Sequence, residues 1–267
     1  MPKLQELKNY LEELGSAALA FSGGVDSSFL LKISRQVLRD RIIAVTVFSQ
    51  VMPEWEIHSA RKIARMLNVR HLILETEIRD KKFLRNDRDR CYWCKKKIFN
   101  EVKKIATQLG IGTVIEASTY DDLDDWRPGM SALRELKVKS PLIEFKFTKK
   151  EIRLFSKKLH LPTWDKPSSS CLATRIPYGR RITPDVLNRI ASAEKFLLKK
   201  GIHQVRVRDY GDLARIEVSP SQISRFSNSK FRKNIVTKFR NLGYRYITLD
   251  LEGYRMGSMN MNFREVS

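Results

Sequence analysis

The stretch AALAFSGGVDSS, residues 17–28, constrains the fold of this chain more than any other. Ala17 to Phe21 is an unbroken apolar run of strand length. Gly23 and Gly24 interrupt it. Val25, Phe29, Leu30, Leu31 and Ile33 then recur at helical spacing. A strand, a glycine turn and a helix N-terminus together make a phosphate cradle. Glycines let the backbone approach an anion, and the unpaired N–H groups at the positive helix end hold it. Ser22, Ser27 and Ser28 add hydroxyls. No Gly-Lys-Ser/Thr follows at the spacing a Walker loop needs, and G-x-G-x-x-G is absent. A glycine turn without a ligand would account for the glycines. It would not account for Asp26 between Val25 and two serines.

The same alternation continues. Residues 42–48, 71–75 and 113–117 read as further strands, rich in apolar and β-branched side chains. Residues 27–37, 54–67 and 94–109 carry helical spacing. The expected fold class is α/β, a parallel sheet covered by helices on both faces. Ligands of such sheets bind at the carboxyl ends of the strands. The loop after Phe21 lies there, and the acidic loop from Ser118 to Gly129 is expected at the same rim.

Residues 160–184, HLPTWDKPSSSCLATRIPYGRRITP, are too rich in proline and serine for a regular element. They nevertheless hold Trp164, Leu172, Ile176 and Tyr178. Long ordered loops of this kind are usually functional. After them, 185–200 and 231–242 read as helices, and 204–209, 214–218 and 246–251 as strands. The expected organisation is a nucleotide-binding domain over 1–184 and a smaller α+β domain over 185–267.

The 267 residues, 42% hydrophobic, suffice for a packed core. No run of about 18 apolar residues suggests a membrane span. The amphipathic N-terminus, with Leu4, Leu7, Leu11 and Leu14 on one face, lacks the apolar centre of a signal peptide. The expected location is cytoplasmic. A formal charge of +21 is compatible with nucleic acid, with a polyanionic small molecule, or with a plain solvated basic surface.

Three cysteines do not form a disulfide framework. Cys91-Tyr92-Trp93-Cys94 stands immediately before a predicted helix, and Cys171 lies far away. Reduced structural thiols are one reading, and a redox dithiol another. Zinc would need a fourth ligand, and none of the four histidines has a diagnostic spacing. Three thiolates also suffice for a [4Fe–4S] cluster with one iron open to a non-protein ligand. Lys95, Lys96 and Lys97 would offset its charge.

The string SGGVDS resembles the PP-loop of the ATP pyrophosphatases, a Rossmann-like, HUP-type fold whose members split ATP into AMP and pyrophosphate. Further along, RCYWC, DDLDDWRPG, PTWDKPSSSCLATRIPYG, VRVRDYGDLARIEV and LDLEGYRMGSMN resemble the LarE family, ATP-dependent sulfur transferases of nickel-pincer cofactor synthesis. The resemblance runs along almost the whole chain. It implies a nucleotide substrate, pyridinium-3,5-biscarboxylate mononucleotide, whose carboxylate is adenylylated and converted to a thiocarboxylate. It also implies a homo-oligomer. Members follow two designs. In one, a lone cysteine at the Cys171 position gives up its own sulfur. In the other, that cysteine and a C-x-x-C pair bind a [4Fe–4S] cluster carrying an extra sulfide. Cys91, Cys94 and Cys171 match the second.

On this resemblance Ser22, Gly23, Gly24, Val25, Asp26 and Ser27 bind ATP and pyrophosphate. Asp26, with Asp121 or Asp122, would hold Mg²⁺. Asp125 and Arg127 are further candidates in the acidic loop. Cys171, Asp26, Arg175 and Glu194 are the catalytic candidates. Arg206 and Arg208, alternating on one strand, suit a phosphate or carboxylates, and Arg255 between glycines allows close approach. The plain alternatives are a basic strand edge for the arginines, a solvated helix position for Glu194 and buried core for Trp93 and Trp164. A tRNA thiolase is the competing function, because it shares the PP-loop and sometimes three cysteines. No RNA-binding module is recognisable, and neither nucleic acid nor membrane is an expected partner. An ammonia-using synthetase would leave the cysteines unexplained. An iron–sulfur carrier would not need SGGVDS.

Overall fold

Apolar strands too short to stand alone are paired side by side in the computed structural model, which describes residues 2–123, 128–255 and 259. The chain divides into two units, residues 1–83 with 88–169, and residues 84–87 with 170–267. The expected boundary after residue 184 lies later in the chain than this division.

The first unit holds helix α1 (Pro2–Glu13), strand β1 (Ala17–Ala20), α2 (Val25–Leu38), β2 (Ile42–Phe48), α3 (Glu54–Met66) and β3 (Arg70–Glu75). It continues with a short α4 (Lys81–Leu84), α5 (Arg90–Gln108), β4 (Val114–Ile115), α6 (Gly129–Glu135), α7 (Pro141–Glu144) and α8 (Lys149–Lys158). The sheet order is β3-β2-β1-β4, all parallel. Alternate residues of β1 serve opposite faces, as a strand buried on both sides requires. Ala17 and Leu19 join Leu30, Leu31 and Phe147 in one core, while Ala18 joins Val45, Phe99 and Val102 in the other. The chain steps outward from β1 to β2 and β3, then returns to β4 on the other flank of β1. That reversal makes the carboxyl end of β1 the switch point where such sheets open a crevice.

In the second unit α9 (Pro184–Lys199) and α10 (Ser229–Asn241) cover a mixed sheet of β5 (Val205–Asp209), β6 (Leu213–Val218) and β7 (Tyr246–Leu249). β5 and β6 are antiparallel, and β6 and β7 parallel. Val205, Val207, Ile216, Leu197 and Phe239 form its core. The expected α/β class and the smaller C-terminal α+β part are both observed.

Two sequence readings need correction. α5 begins at Arg90, so the C-x-x-C lies inside the helix, Cys91 at its second and Cys94 at its fifth residue, and not ahead of it. Asp89, beside the helix start, accepts a hydrogen bond from Trp93 Nε1 at 2.7 Å and holds the first turn. α8 was not expected. Its capping box, Thr148 with Glu151, starts a helix whose buried face is only Ile152, Phe155 and Ser156.

Gly23 has φ +69°, and a Cβ there would lie 2.7 Å from the Cα of Ala60 in α3. Gly15 has a similar φ of +70° with nothing within 4 Å of such a Cβ. Gly15→Ala should therefore cost about 1–3 kcal/mol, from the left-handed backbone alone. Gly23→Ala should cost measurably more, because α3 must also move. Urea denaturation of the two variants checks the difference, and equal losses would remove the packing argument.

Candidate functional site

The apolar β1 delivers the chain to Ser22, and Gly24 takes the N-cap position of α2. Gly24 makes no side-chain cap, so the helix start offers its N–H groups to a ligand. The hydroxyls close the turn. Ser22 Oγ and Ser27 Oγ lie 3.1 Å apart, and the Gly24 N–H donates to Ser22 Oγ at 3.3 Å. Ser28 is fully buried within the helix and does not face the turn's rim.

Asp26 sits in the first turn of α2. Burial, then the nearby charge of Asp122, pushes its carboxyl up to about 6, while Lys149 and Arg153 pull the other way. Asp121, from the same loop as Asp122, also pushes it up. Asp121 and Asp122 are already engaged. The main-chain N–H of Lys149 donates to Asp121 at 2.7 Å. Lys149 Nζ pairs with Asp122 at 2.7 Å, and the Thr119 N–H donates to Asp122 at 2.9 Å. Asp125 and Arg127 lie outside the described residues.

Lys166, which the sequence reading passed over, donates to the Gly23 carbonyl at 3.1 Å, to Glu56 at 2.8 Å and to Ser59 Oγ at 3.0 Å. Arg153 in turn donates to the carbonyls of Trp164 and Lys166, both at 2.9 Å. A lone lysine in a Pro-Ser loop carries no periodic signal, so only its place inside PTWDKP marked it.

Cys91 and Cys94 stand three residues apart near the start of α5, so they share a helix face, toward the end whose dipole favours thiolates. All three cysteines are half-buried thiols. Among the described residues no three His, Cys, Asp or Glu side chains are gathered as a metal site. Of the three lysines expected to offset charge there, Lys96 pairs with Glu135 and Lys97 with Glu101. Trp93 is not core. It is half-buried, with Lys82 Nζ 4.0 Å from its ring centroid. Trp164 is also not core, being 37% exposed with Lys157 over its ring.

In the second unit Arg175 and Glu194 are each 2% exposed and form a bidentate pair at 2.9 and 3.0 Å. Glu194 is therefore not a solvated helix residue. It also accepts the Val207 N–H at 2.9 Å. Arg175 donates its remaining nitrogen to the carbonyls of Ser170 and Cys171 at 2.8 and 3.0 Å. Burial opposes its charge, and Glu194 outweighs burial, so its pKa stays above the usual arginine range. Arg175 thus positions the backbone that carries Cys171.

The arginines of β5 are buried and do not form an exposed edge. Arg208 is spent on Glu217, at 3.0 and 2.7 Å, and on the Thr174 carbonyl at 2.9 Å. Arg206 donates to its neighbour's carbonyl at 2.7 Å and lies 5.0 Å from the Tyr254 ring centroid. Burial and the adjacent positive charge of Arg175 hold its pKa below the usual arginine range. A cation in that situation gains from an incoming anion. Arg255 pairs with Glu252. Asn86, also unexpected, donates to the carbonyls of Pro177 and Arg180 at 2.8 and 2.9 Å, which fixes the chain after Cys171.

A family model described as NAD synthase matches residues 3–93, the segment that holds the cradle. The chain is 39% identical over 259 residues to an uncharacterised protein of Synechocystis sp., covering 97% of each. It is 35% identical over 253 residues to the pyridinium-3,5-bisthiocarboxylic acid mononucleotide synthase of Lactiplantibacillus plantarum, covering 94% of this chain and 91% of that one. It is 31% identical over 258 residues to an uncharacterised protein of Methanocaldococcus jannaschii, covering 96% and 98%.

Because the folded carboxyl of Asp26 titrates near 6 against 3.8 in the free side chain, the folded state holds its proton more tightly. This contribution therefore destabilises the fold as pH rises from about 4 through 6 and is complete above that. Asp26→Asn should raise stability at pH 7 by up to about 3 kcal/mol, with little gain at pH 4. It should also abolish ATP turnover. Thermal melts at the two pH values check the sign.

Proposed function

The chain belongs to the LarE family of ATP-dependent sulfur transferases, and on that premise we propose that it converts a carboxylate of pyridinium-3,5-biscarboxylate mononucleotide to a thiocarboxylate. The observation that carries the reading is the near full-length similarity to the L. plantarum synthase. The cradle from Ser22 to Ser27 is its physical counterpart. A carboxylate cannot expel oxide. Its oxygen attacks the α-phosphorus of ATP, the α–β P–O bond breaks and pyrophosphate leaves. A sulfur nucleophile then attacks the carbonyl carbon, and the C–O bond to AMP breaks. Gly24, Val25 and the serines receive the leaving pyrophosphate at the helix N-terminus. Asp26 would hold Mg²⁺, which would neutralise charge on the phosphates and lower the cost of the buried carboxylate.

Cys91, Cys94 and Cys171 are the proposed ligands of a [4Fe–4S] cluster. Their donor chemistry fits, since all three are thiols and two share a helix end suited to thiolates. When bound, such a cluster supplies a transferable sulfide on the iron that lacks a cysteine. Arg175 and Glu194 position the Cys171 segment, and Arg206 and Arg255 receive the mononucleotide's anionic groups. No helix among the described residues is long and apolar enough to cross a membrane. Thiol cysteines and a nucleotide substrate favour the cytoplasm, and the family expectation is a homo-oligomer.

Substrate-dependent release of AMP and pyrophosphate is expected, and ADP with phosphate would overturn the assignment. Under anaerobic conditions with added sulfide, the chain should make several products and keep Cys171 intact. Cys91→Ala should lose both iron and activity. Conversion of Cys171 to dehydroalanine at one equivalent, with Cys91→Ala still active, would instead establish the sacrificial design.

The two arginines of β5 should behave differently. Arg206→Ala should weaken mononucleotide binding by roughly 10- to 150-fold, the worth of a charge-assisted hydrogen bond of about 1.5–3 kcal/mol, with ATP affinity kept. Arg208→Ala should instead lower the melting temperature, because it removes the bidentate partner of the buried Glu217 and the donor to the Thr174 carbonyl. Calorimetric titration with each ligand and thermal melts separate the two roles.

A further inference from the structure

We propose that Lys166 is the positioning residue of the pyrophosphate cradle, its ammonium fixing the Gly23 carbonyl so that the Gly24 N–H is turned toward the anion. The inference rests on the reading of residues 22–27 as a pyrophosphate site and adds the residue that sets its geometry.

A trans peptide points its C=O and N–H in opposite directions. Lys166 Nζ holds the Gly23 oxygen at 3.1 Å, so the Gly24 N–H of the same peptide must face away from Lys166. That N–H is found on the Ser22 hydroxyl, inside the turn, where it donates at 3.3 Å. Without the lysine this peptide is flanked by glycines on both sides, Gly23 at φ +69° and Gly24 at φ −78°. Glycine flanks make a peptide flip cheap. A flipped peptide would present a carbonyl to the phosphates where the N–H should be.

The ammonium has three N–H donors and three acceptors, the Gly23 carbonyl, Glu56 and Ser59 Oγ. It has no donor left for a phosphate, so its role is to orient, not to touch. It is also held from behind. Arg153 donates to the carbonyls of Trp164 and Lys166, so the segment bearing the lysine is fixed before any ligand arrives. Glu56 and Ser59 belong to α3, the helix whose Ala60 leaves no room for a side chain at residue 23. The same helix thus crowds Gly23 from one direction and anchors its carbonyl clamp from another.

The test uses the full-length chain, calorimetric titration, and two probes, Mg²⁺-pyrophosphate and AMP. Glu56→Gln is the reference, and Glu56→Gln with Lys166→Met is the variant, so that no buried carboxylate is stranded and folding is preserved. The variant should bind pyrophosphate at least about tenfold more weakly than the reference, with AMP unchanged. The loss should persist at about 0.5 M salt, where long-range charge is screened but peptide orientation is not. Lys166→Arg in the same background should recover part of the affinity. Equal pyrophosphate affinity, or a difference that vanishes in high salt, would overturn the proposal. So would an equal loss for both probes. A wild-type chain that binds AMP but not pyrophosphate would overturn the cradle reading itself.

Discussion

The buried pair of Arg175 and Glu194 governs how the second unit is assembled. Two charges removed from water lose several kcal/mol each in solvation, and the pair survives only if every polar atom finds a partner. Here the surroundings supply them. Glu194 on α9 accepts both from Arg175 and from the Val207 N–H of β5. Arg175 spends its third nitrogen on the Ser170 and Cys171 carbonyls. One ion pair therefore ties a helix, a strand and an irregular segment into a single arrangement. An apolar pair of equal volume could fill the space but could not set the direction of the Cys171 backbone.

The same device recurs wherever the backbone is irregular. Segments without a sheet or helix partner leave carbonyls that must be satisfied. In this chain cationic and amide side chains do so. Lys166 takes the Gly23 carbonyl, Arg153 those of Trp164 and Lys166, Arg208 that of Thr174, and Asn86 those of Pro177 and Arg180. Part of the +21 charge is thus internal, used to hold loops, and says nothing about nucleic acid. That weakens the charge argument for a tRNA substrate.

Regular elements were legible because their signal is local and periodic. Residues 42–48 were read as a strand and form β2 unchanged. The reading of 113–117 shrank to Val114–Ile115, because a strand lasts only where a neighbour's backbone is in register. The cradle was legible for a different reason, since its glycines and Asp26 violate any plain structural pattern. Burial of charge was not legible. Arg175, Glu194, Arg206 and Arg208 were legible as candidates for the site but not as buried groups, because a single sequence shows a charge but not its partner. Glu194 lies nineteen residues from Arg175, and that separation has no periodic trace. Lys166 and Asn86 were missed on the same ground, because their partners are carbonyls, which carry no residue type.

The first unit's loop is built at a cost to its own stability. Gly23 sits in a left-handed conformation against Ala60, and Asp26 carries a carboxylate that burial disfavours. The glycine suits the turn and the close approach of α3, but the buried carboxylate does not help a ligand-free chain to fold. On the proposed function that charge becomes favourable when a polyanion with a divalent cation arrives, because the cation would offset Asp26 and the anion would accept the N–H groups at the start of α2. Fixed cations around the loop limit the cost meanwhile. Lys149 and Arg153 pull the Asp26 titration down, and Lys166 holds the turn from behind. A loop stabilised this way needs little rearrangement on binding, so more of the phosphate contact energy remains for holding ATP in line with the attacking carboxylate. The buried carboxylate of Asp26 is therefore evidence of use, since a turn serving only to connect β1 to α2 would account for Gly23 but not for Asp26.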